Sequence, residues 1–303
     1  MRIVIALGGN ALQRRGEEAD LEHQRRNLHA ATRAVADLAR AHQVVVTHGN
    51  GPQVGWLAMQ TGGGGKDAPD YPLDVLDAGS EGMIGYLLEQ DLANLLPGHA
   101  VATLLTRVLV DPGDPAFAQP DKPIGSVLSA DQARRLEALH GWRFKDEGGG
   151  RRRVVASPRP VRILEINAIR SLVAAGTLVI CAGGGGIPVA PDAHGTLQGV
   201  EAVIDKDRAA ALLARELGAD ALLLLTDVNA VYRDWGTPRA EPIRRATPEE
   251  LGSMNFAPGS MAPKVEAACN FVREGGRLAG IGRLEDGARI LAGEAGTRVT
   301  EVE

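Results

Sequence analysis

The chain has 303 residues, 44% apolar and 23% charged, which is ordinary for a soluble globular protein and ample for a large core. Its net charge of −5 excludes a whole-molecule field that would draw in nucleic acid or an anionic membrane, and 3% aromatics leave little for a base-stacking platform. Two cysteines, Cys181 and Cys269, stand far apart in no metal or redox spacing, which argues for a reducing, cytoplasmic compartment and against a disulfide scaffold.

Ile3 to Leu7 is a continuous apolar run, as in a strand covered on both faces, and is too short for a signal sequence. It ends in Gly8-Gly9-Asn10-Ala11, and a helix is expected from Leu21 to Ala41. Val44 to Thr47 forms the next strand and stops at His48-Gly49-Asn50-Gly51-Pro52. Strands that end in glycines and lead into helices are the signature of an open parallel sheet with ligands at that edge. Gly62 to Gly65 followed by Lys66 superficially resembles a phosphate-binding loop. It lacks the Ser or Thr after the lysine and follows a helical segment, so it reads as a flexible loop.

A long helix is expected within Leu73 to Leu96, closed by Pro97-Gly98, whose apolar face serves a core or a subunit interface, core being the default. Ala100 to Val110 reads as one strand. From Asp111 to Pro160 the rhythm breaks into Pro, Gly and charge, with a helix near Ala130 to Leu139 and a basic turn at Arg151-Arg152-Arg153. This is an excursion from the sheet, read as a protruding subdomain at 111–160 within a single domain spanning 1–303. No run of the chain reaches the roughly 18 apolar residues that cross a bilayer.

The sheet resumes at Leu178 to Ala182 and breaks into Gly183 to Gly186. Such a break is expected to bring bare backbone N–H groups to the sheet edge. Glu201 to Asp207 follows, with Lys206 between Asp205 and Asp207 just before a helix at Arg208 to Leu217. Glycine amides and a lysine held by carboxylates suit a phosphate that changes owner, although a βα turn with a surface lysine explains either half alone. A further strand, Asp220 to Leu225, ends at Thr226-Asp227-Val228-Asn229. Beyond it lie a helix near Pro248 to Leu251, a Phe256 to Lys264 loop leading into a helix through Phe271, and a last strand near Leu278 to Ile281. Gly296 to Val302 trails off.

No GxxxxGK[ST], kinase HRD or DFG, or GxGxxG pattern is present. What remains is glycine-bearing strand tips and three lysines in loop contexts, Lys122, Lys206 and Lys264. Phosphoryl transfer asks a protein mainly for positioning and for neutralisation of spreading negative charge, which these groups supply. His48 is more often a turn residue than a base, and no protein-held metal site is evident.

The segments Ala6 to Ala11, Thr47 to Gly55, Lys122-Pro123-Ile124-Gly125, Arg152 to Pro158, Cys181 to Pro188, Gly199 to Asp207 and Phe256 to Lys264 resemble carbamate kinase, in the family's order and across nearly the whole chain. Amino-acid kinases that phosphorylate N-acetylglutamate, glutamate or aspartate usually carry a lysine before the first glycine pair. Ala6 and Leu7 stand there instead, and Lys122 lies in the motif from which carbamate kinases supply that charge. The resemblance implies a three-layer αβα sandwich around a mainly parallel open sheet, with the protruding subdomain. It further implies a homodimer and reversible transfer between ATP and carbamate, giving ADP and carbamoyl phosphate, with Mg²⁺. In some relatives this makes ATP during arginine breakdown.

By the same resemblance Lys122 and Lys206 neutralise the transferring phosphoryl, with Asp207 orienting the lysines. Gly8, Gly9, Asn10, Gly49, Asn50 and Gly51 hold the phosphoryl and carbamate end, beside Gly183, Gly184 and Gly185. Lys206, Lys264 and the Pro258, Gly259, Ser260 and Met261 loop contact nucleotide phosphates. Thr226, Asp227, Val228 and Tyr232 line the nucleoside side, where the Tyr232 to Pro238 segment departs from the family, with Asp234 where Asn is common.

Overall fold

A computed structural model describes residues 1–9, 21–62, 71–256 and 261–301. Among the described residues eight strands form the main sheet, and six of them lie side by side and parallel. The first strand, Arg2–Leu7, sits inside this sheet between Gln43–His48 and Ala221–Thr226. Its side chains alternate between two cores: Val4 and Ala6 face one, and Ile3, Ile5 and Leu7 face the other. A strand buried on both faces needs apolar residues at every position, which is why it reads as an unbroken run. The helix Lys206–Leu217 packs into the first core, and Leu21–Ala39 and Leu73–Leu95 pack into the second. The αβα sandwich expected from the sequence is therefore present.

Parallel register brings several strand tips to one edge. Leu7 is opposite both His48 and Leu225, so Gly8, Gly49 and Thr226 emerge together. The Gly8 N–H donates to Leu225 O at 2.8 Å and the Gly49 N–H to Leu7 O at 3.1 Å, extending the ladder one step into the glycines.

Three sequence expectations need correction. Ala100 to Val110 is two strands, not one: Val101–Thr103 closes the main sheet, and Arg107–Val110 belongs to a second, four-stranded sheet. The chain bends between them because the Thr106 N–H turns to the Glu81 carboxylate at 3.1 Å, and the Thr106 carbonyl accepts from Ile187 N. Arg151, Arg152 and Arg153 lie in a strand, Gly150–Val155, not in a turn. Their charges are held by Glu137, Glu147 and the Trp142 ring, so the strand tolerates three cations in a row. Leu278–Arg283 is not the last strand, since Thr297–Val299 runs antiparallel beside it. The Gly62 to Lys66 loop falls mostly outside the described residues.

The chain leaves the second sheet at Val110 and returns at Pro160, its partner across a strand pair. In between, Lys122–Leu128, Gly150–Val155 and Arg143–Glu147 form an antiparallel sheet. The helix Ala130–His140 packs on it through Ala133, Leu136 and Phe144. Ser129 and Gln132 close a reciprocal capping box at its start, and Gly141 ends it in the left-handed conformation at φ 69°. Among the described residues no helix is long and apolar enough to cross a membrane.

Candidate active site

Five charges meet at the start of the helix Lys206–Leu217. Asp205 is its N-cap: one carboxylate oxygen accepts from the Asp207 and Arg208 N–H groups at 3.0 and 3.2 Å. The other accepts from Lys122 Nζ at 3.2 Å, across 83 residues of sequence. Asp207 is buried; one of its oxygens takes Lys206 Nζ and the other takes Lys264 Nζ at 3.1 Å. Two carboxylates thus hold three ammonium groups, and the positive end of the helix points at the same spot.

Burial opposes ionisation of Asp205, but the Lys122 and Lys206 charges and the Arg208 N–H outweigh it and hold its carboxyl well below the usual range. Lys206 shifts down because burial disfavours its charge; Asp207 offsets part of this, and Lys264 adds to it.

The glycine tips adjoin this cluster. A Cβ on Gly49 would sit 3.8 Å from Lys206 Cδ and 3.4 Å from Gly9 Cα, so the first two strand tips and the lysine stem line one space. Among the described residues, a Cβ on Gly9 or Gly51 would meet nothing within 4 Å. Thr226 Oγ1 lies next to Gly8 and donates to Asp227 at 3.1 Å. Tyr232 sits on the hairpin strand Val231–Arg233, its ring 5.0 Å from the exposed Trp235, with Val228 half-buried and Asp227 exposed between them and the strand tip. Asp234 adopts φ 49°, a left-handed conformation that Asp and Asn tolerate better than other side chains. Met261 opens the helix Met261–Arg273 that carries Lys264. Asn10, Pro258, Gly259 and Ser260 lie outside the described residues.

The Gly183 to Gly186 turn departs from expectation. Three of its four N–H groups are not bare: Gly183 donates to Glu81 at 2.8 Å, Gly185 to Ala182 O at 3.1 Å and Gly186 to Gly183 O at 3.0 Å. The turn packs behind the site instead. A Cβ on Gly183 would fall 2.3 Å from His48 Nε2, and one on Gly184 2.1 Å from Asn50 Nδ2. Gly184 is also at φ 71°, so glycine is required there twice over. Asn50, in turn, donates to Asp77 Oδ1 and Ser80 Oγ, both at 2.9 Å.

Several residues of this site are absent from the sequence reading. Asp205 reads there only as a neighbour of Lys206, yet it is the partner of Lys122. Asp77, Ser80 and Glu81 sit on the buried face of Leu73–Leu95, hidden among its leucines. The one available signal is their spacing, which matches the apolar face rather than the wet one.

Burial raises Glu81 to about 8 against the pull of the Thr106 and Gly183 N–H groups, and raises Asp77 well above the carboxylate range against its Asn50 hydrogen bond. Burial lowers His48 to about 4, partly offset by the 3.0 Å hydrogen bond from Nδ1–H to Gly49 O. His48 is therefore neutral at pH 7 and holds its own strand tip. These shifts set a pH dependence. Between about pH 4 and 6.5 unfolding takes up a proton at His48 and releases one at Glu81, so the terms oppose. From about pH 6.5 to 8 the His48 contribution is gone, and at Glu81 the folded state alone keeps the proton. Stability is then expected to fall with pH, Glu81 contributing at most about 1.4 kcal/mol per unit. Urea titrations across that window should give a shallower fall for Glu81→Gln than for the native chain. An equal slope would mean that Glu81 is already ionised.

Comparison with known proteins agrees with this geometry. The family model described as the amino acid kinase family matches residues 1–281. Over 99% of its length the chain is 52% identical to the carbamate kinase of Haemophilus influenzae, covering 97% of that protein. It is 44% identical to the carbamate kinase of Pyrococcus horikoshii, covering 99% of both chains. The carbamate kinase of Giardia lamblia bound to AMP-PNP superposes with a TM-score of 0.91 at 37% identity, with 99% of this chain and 98% of that one covered. The chain therefore belongs to the amino acid kinase family, within the branch formed by its carbamate kinases.

Proposed function

We propose that the chain catalyses reversible phosphoryl transfer between ATP and carbamate, giving ADP and carbamoyl phosphate. The observation that carries this is Lys122, delivered by the inserted segment to the helix start that bears Lys206. Carbamate is already an anion, so its attacking oxygen needs no general base. The barrier is repulsion between two anions, which lysines and backbone N–H groups relieve. In the reverse direction a β-phosphate oxygen of ADP attacks phosphorus, the P–O bond to carbamate breaks, and carbamate leaves with the electron pair. Lys122 and Lys206 face the moving phosphoryl and Lys264 the nucleotide phosphates. Thr226, Asp227, Val228 and Tyr232 line the nucleoside side.

Mg²⁺ enters with the nucleotide. Among the described residues no group of three or more His, Cys, Asp or Glu could hold a metal. The ion is carried mainly by phosphate oxygens and water, as Mg²⁺ usually is in kinase sites. It supplies neutralisation of phosphate charge. Two unpaired, buried cysteines fit a reducing cytoplasm, and ATP formation during arginine breakdown is the physiological direction we favour.

ATP formation from ADP, Mg²⁺ and carbamoyl phosphate, with acetyl phosphate and N-acetylglutamyl phosphate as rival donors, tests the reading. Rapid turnover with carbamoyl phosphate alone is expected. Preference for another donor would keep the fold and move the substrate.

The working unit is a homodimer. Leu73–Leu95 buries one face in the core yet leaves Val75, Met83 and Tyr86 exposed on another, next to the exposed Leu105. An apolar stripe of this kind on a helix suits a second copy of the chain. Sedimentation should find a dimer, and Met83→Glu with Tyr86→Glu should convert it to a folded monomer. A monomeric native chain would remove the proposal.

A further inference from the structure

The inserted segment touches the body at a bare backbone contact. Gly55, in the helix Gly51–Gly62, lies against Gly125, in the strand Lys122–Leu128. A Cβ on Gly55 would fall 2.1 Å from Gly125 Cα and 2.2 Å from Gly125 N. Both obstacles are backbone, so no rotamer change relieves them. Gly125 has φ 67° and sits where the pairing of its strand with Gly150–Val155 slips register, between Ile124 and Leu128. That bulge pushes the strand backbone toward the helix. Around the contact, Val54 and Ala58 of the helix pack with Ile124, Val155 and Val203, all buried.

The two ends of this seam are the two sides of the site. The helix begins at Gly51, directly after the second glycine tip, and the strand begins at Lys122, three residues before Gly125. A β-strand is stiff over about 10 Å, so the height of Gly125 above the helix sets the reach of Lys122 to Asp205. We propose that Gly55 and Gly125 are positioning residues for phosphoryl transfer, their direct backbone contact fixing Lys122 over the phosphoryl site. The proposal rests on the phosphotransfer reading above. A methyl at position 55 must lift the strand by more than about 1 Å, a misplacement that costs on the order of 100-fold in rate when it displaces a catalytic charge.

The test is a double-mutant cycle on ATP formation from carbamoyl phosphate. Gly55→Ala should lower kcat about 100-fold with ADP affinity within about twofold of the native value. In a Lys122→Ala background the same substitution should cost less than about twofold, because the group it displaces is gone. Mass-spectrometric footprinting with an amine reagent gives a readout free of activity: Lys122 should label faster in Gly55→Ala. Native turnover by Gly55→Ala, an equal loss in both backgrounds, or loss of ADP binding together with turnover would each overturn the proposal. If Gly55→Ala does not fold, Ile124→Val loosens the same seam and should show the same dependence on Lys122; an equal cost in both backgrounds would overturn the proposal. A native chain that transfers nothing from carbamoyl phosphate would refute the function instead, leaving the labelling to decide the seam.

Discussion

Lys206→Ala is expected to lower kcat by about 100-fold or more, the usual cost of removing one preorganised donor from a developing charge. Lys206 meets the conditions for a full effect. Its stem runs beside Gly49, its ammonium is held by Asp207, and its side chain is only 12% exposed, so water cannot take its role. A compact ammonium fits this narrow space, and a planar guanidinium does not, so Lys206→Arg should recover little of the loss. Steady-state ATP formation, with ADP affinity measured in parallel, checks both variants. Native turnover by Lys206→Ala would remove this residue from the reaction.

Asp207→Asn should damage the fold and the chemistry together. The native carboxylate stands between Lys206 and Lys264, and the three side chains are 5%, 12% and 7% exposed. Asparagine keeps the shape but removes the carboxylate that the two neighbouring buried ammonium groups share. Breaking a buried pair from one side typically costs about 3–5 kcal/mol. Urea unfolding should show a loss of that order, and kcat should fall at least as far as for Lys206→Ala, since both lysines lose their orientation. Saturating ADP should return more stability to Asp207→Asn than to the native chain, because its phosphates replace the missing charge. A variant within about 1 kcal/mol of native would mean that the lysines find other partners.

The parts of this protein that were legible in its sequence are those where one physical demand dominates. Ile3 to Leu7 and Ala221 to Leu225 read as strands because burial on both faces leaves no room for polar positions. Lys206 stood out because two aspartates flank it. The break at Leu104 to Thr106 was silent because apolar residues continue through it, and its cause, Glu81, lies 25 residues away. The three arginines disguised a strand because their counter-charges come from other elements. Thr297–Val299 was too short to show a period. Lys122 stood out as one of three lysines and its role came from family resemblance, but its pairing with Asp205 came from neither source, since an N-cap aspartate already has a local explanation. The Gly55–Gly125 contact shows why glycines are hard to interpret in a sequence: one allows a turn and the other allows an approach, and the letters are the same.

The first strand lies in the middle of the sheet, and one of its two neighbours begins 218 residues later, at Ala221 opposite Ile3. During synthesis the nascent chain can pair Arg2–Leu7 with Gln43–His48 early, but the other edge of that ribbon stays open until Thr226 has left the ribosome. Until then it offers an unpaired, wholly apolar edge, the kind of surface that chaperones cover and that aggregates when left bare. Gly8 and Thr226 meet only on closure, so nucleotide affinity should be among the last properties to appear. Ribosome-stalled chains ending before Ala221 should bind no ADP, however much of the earlier sheet they have formed.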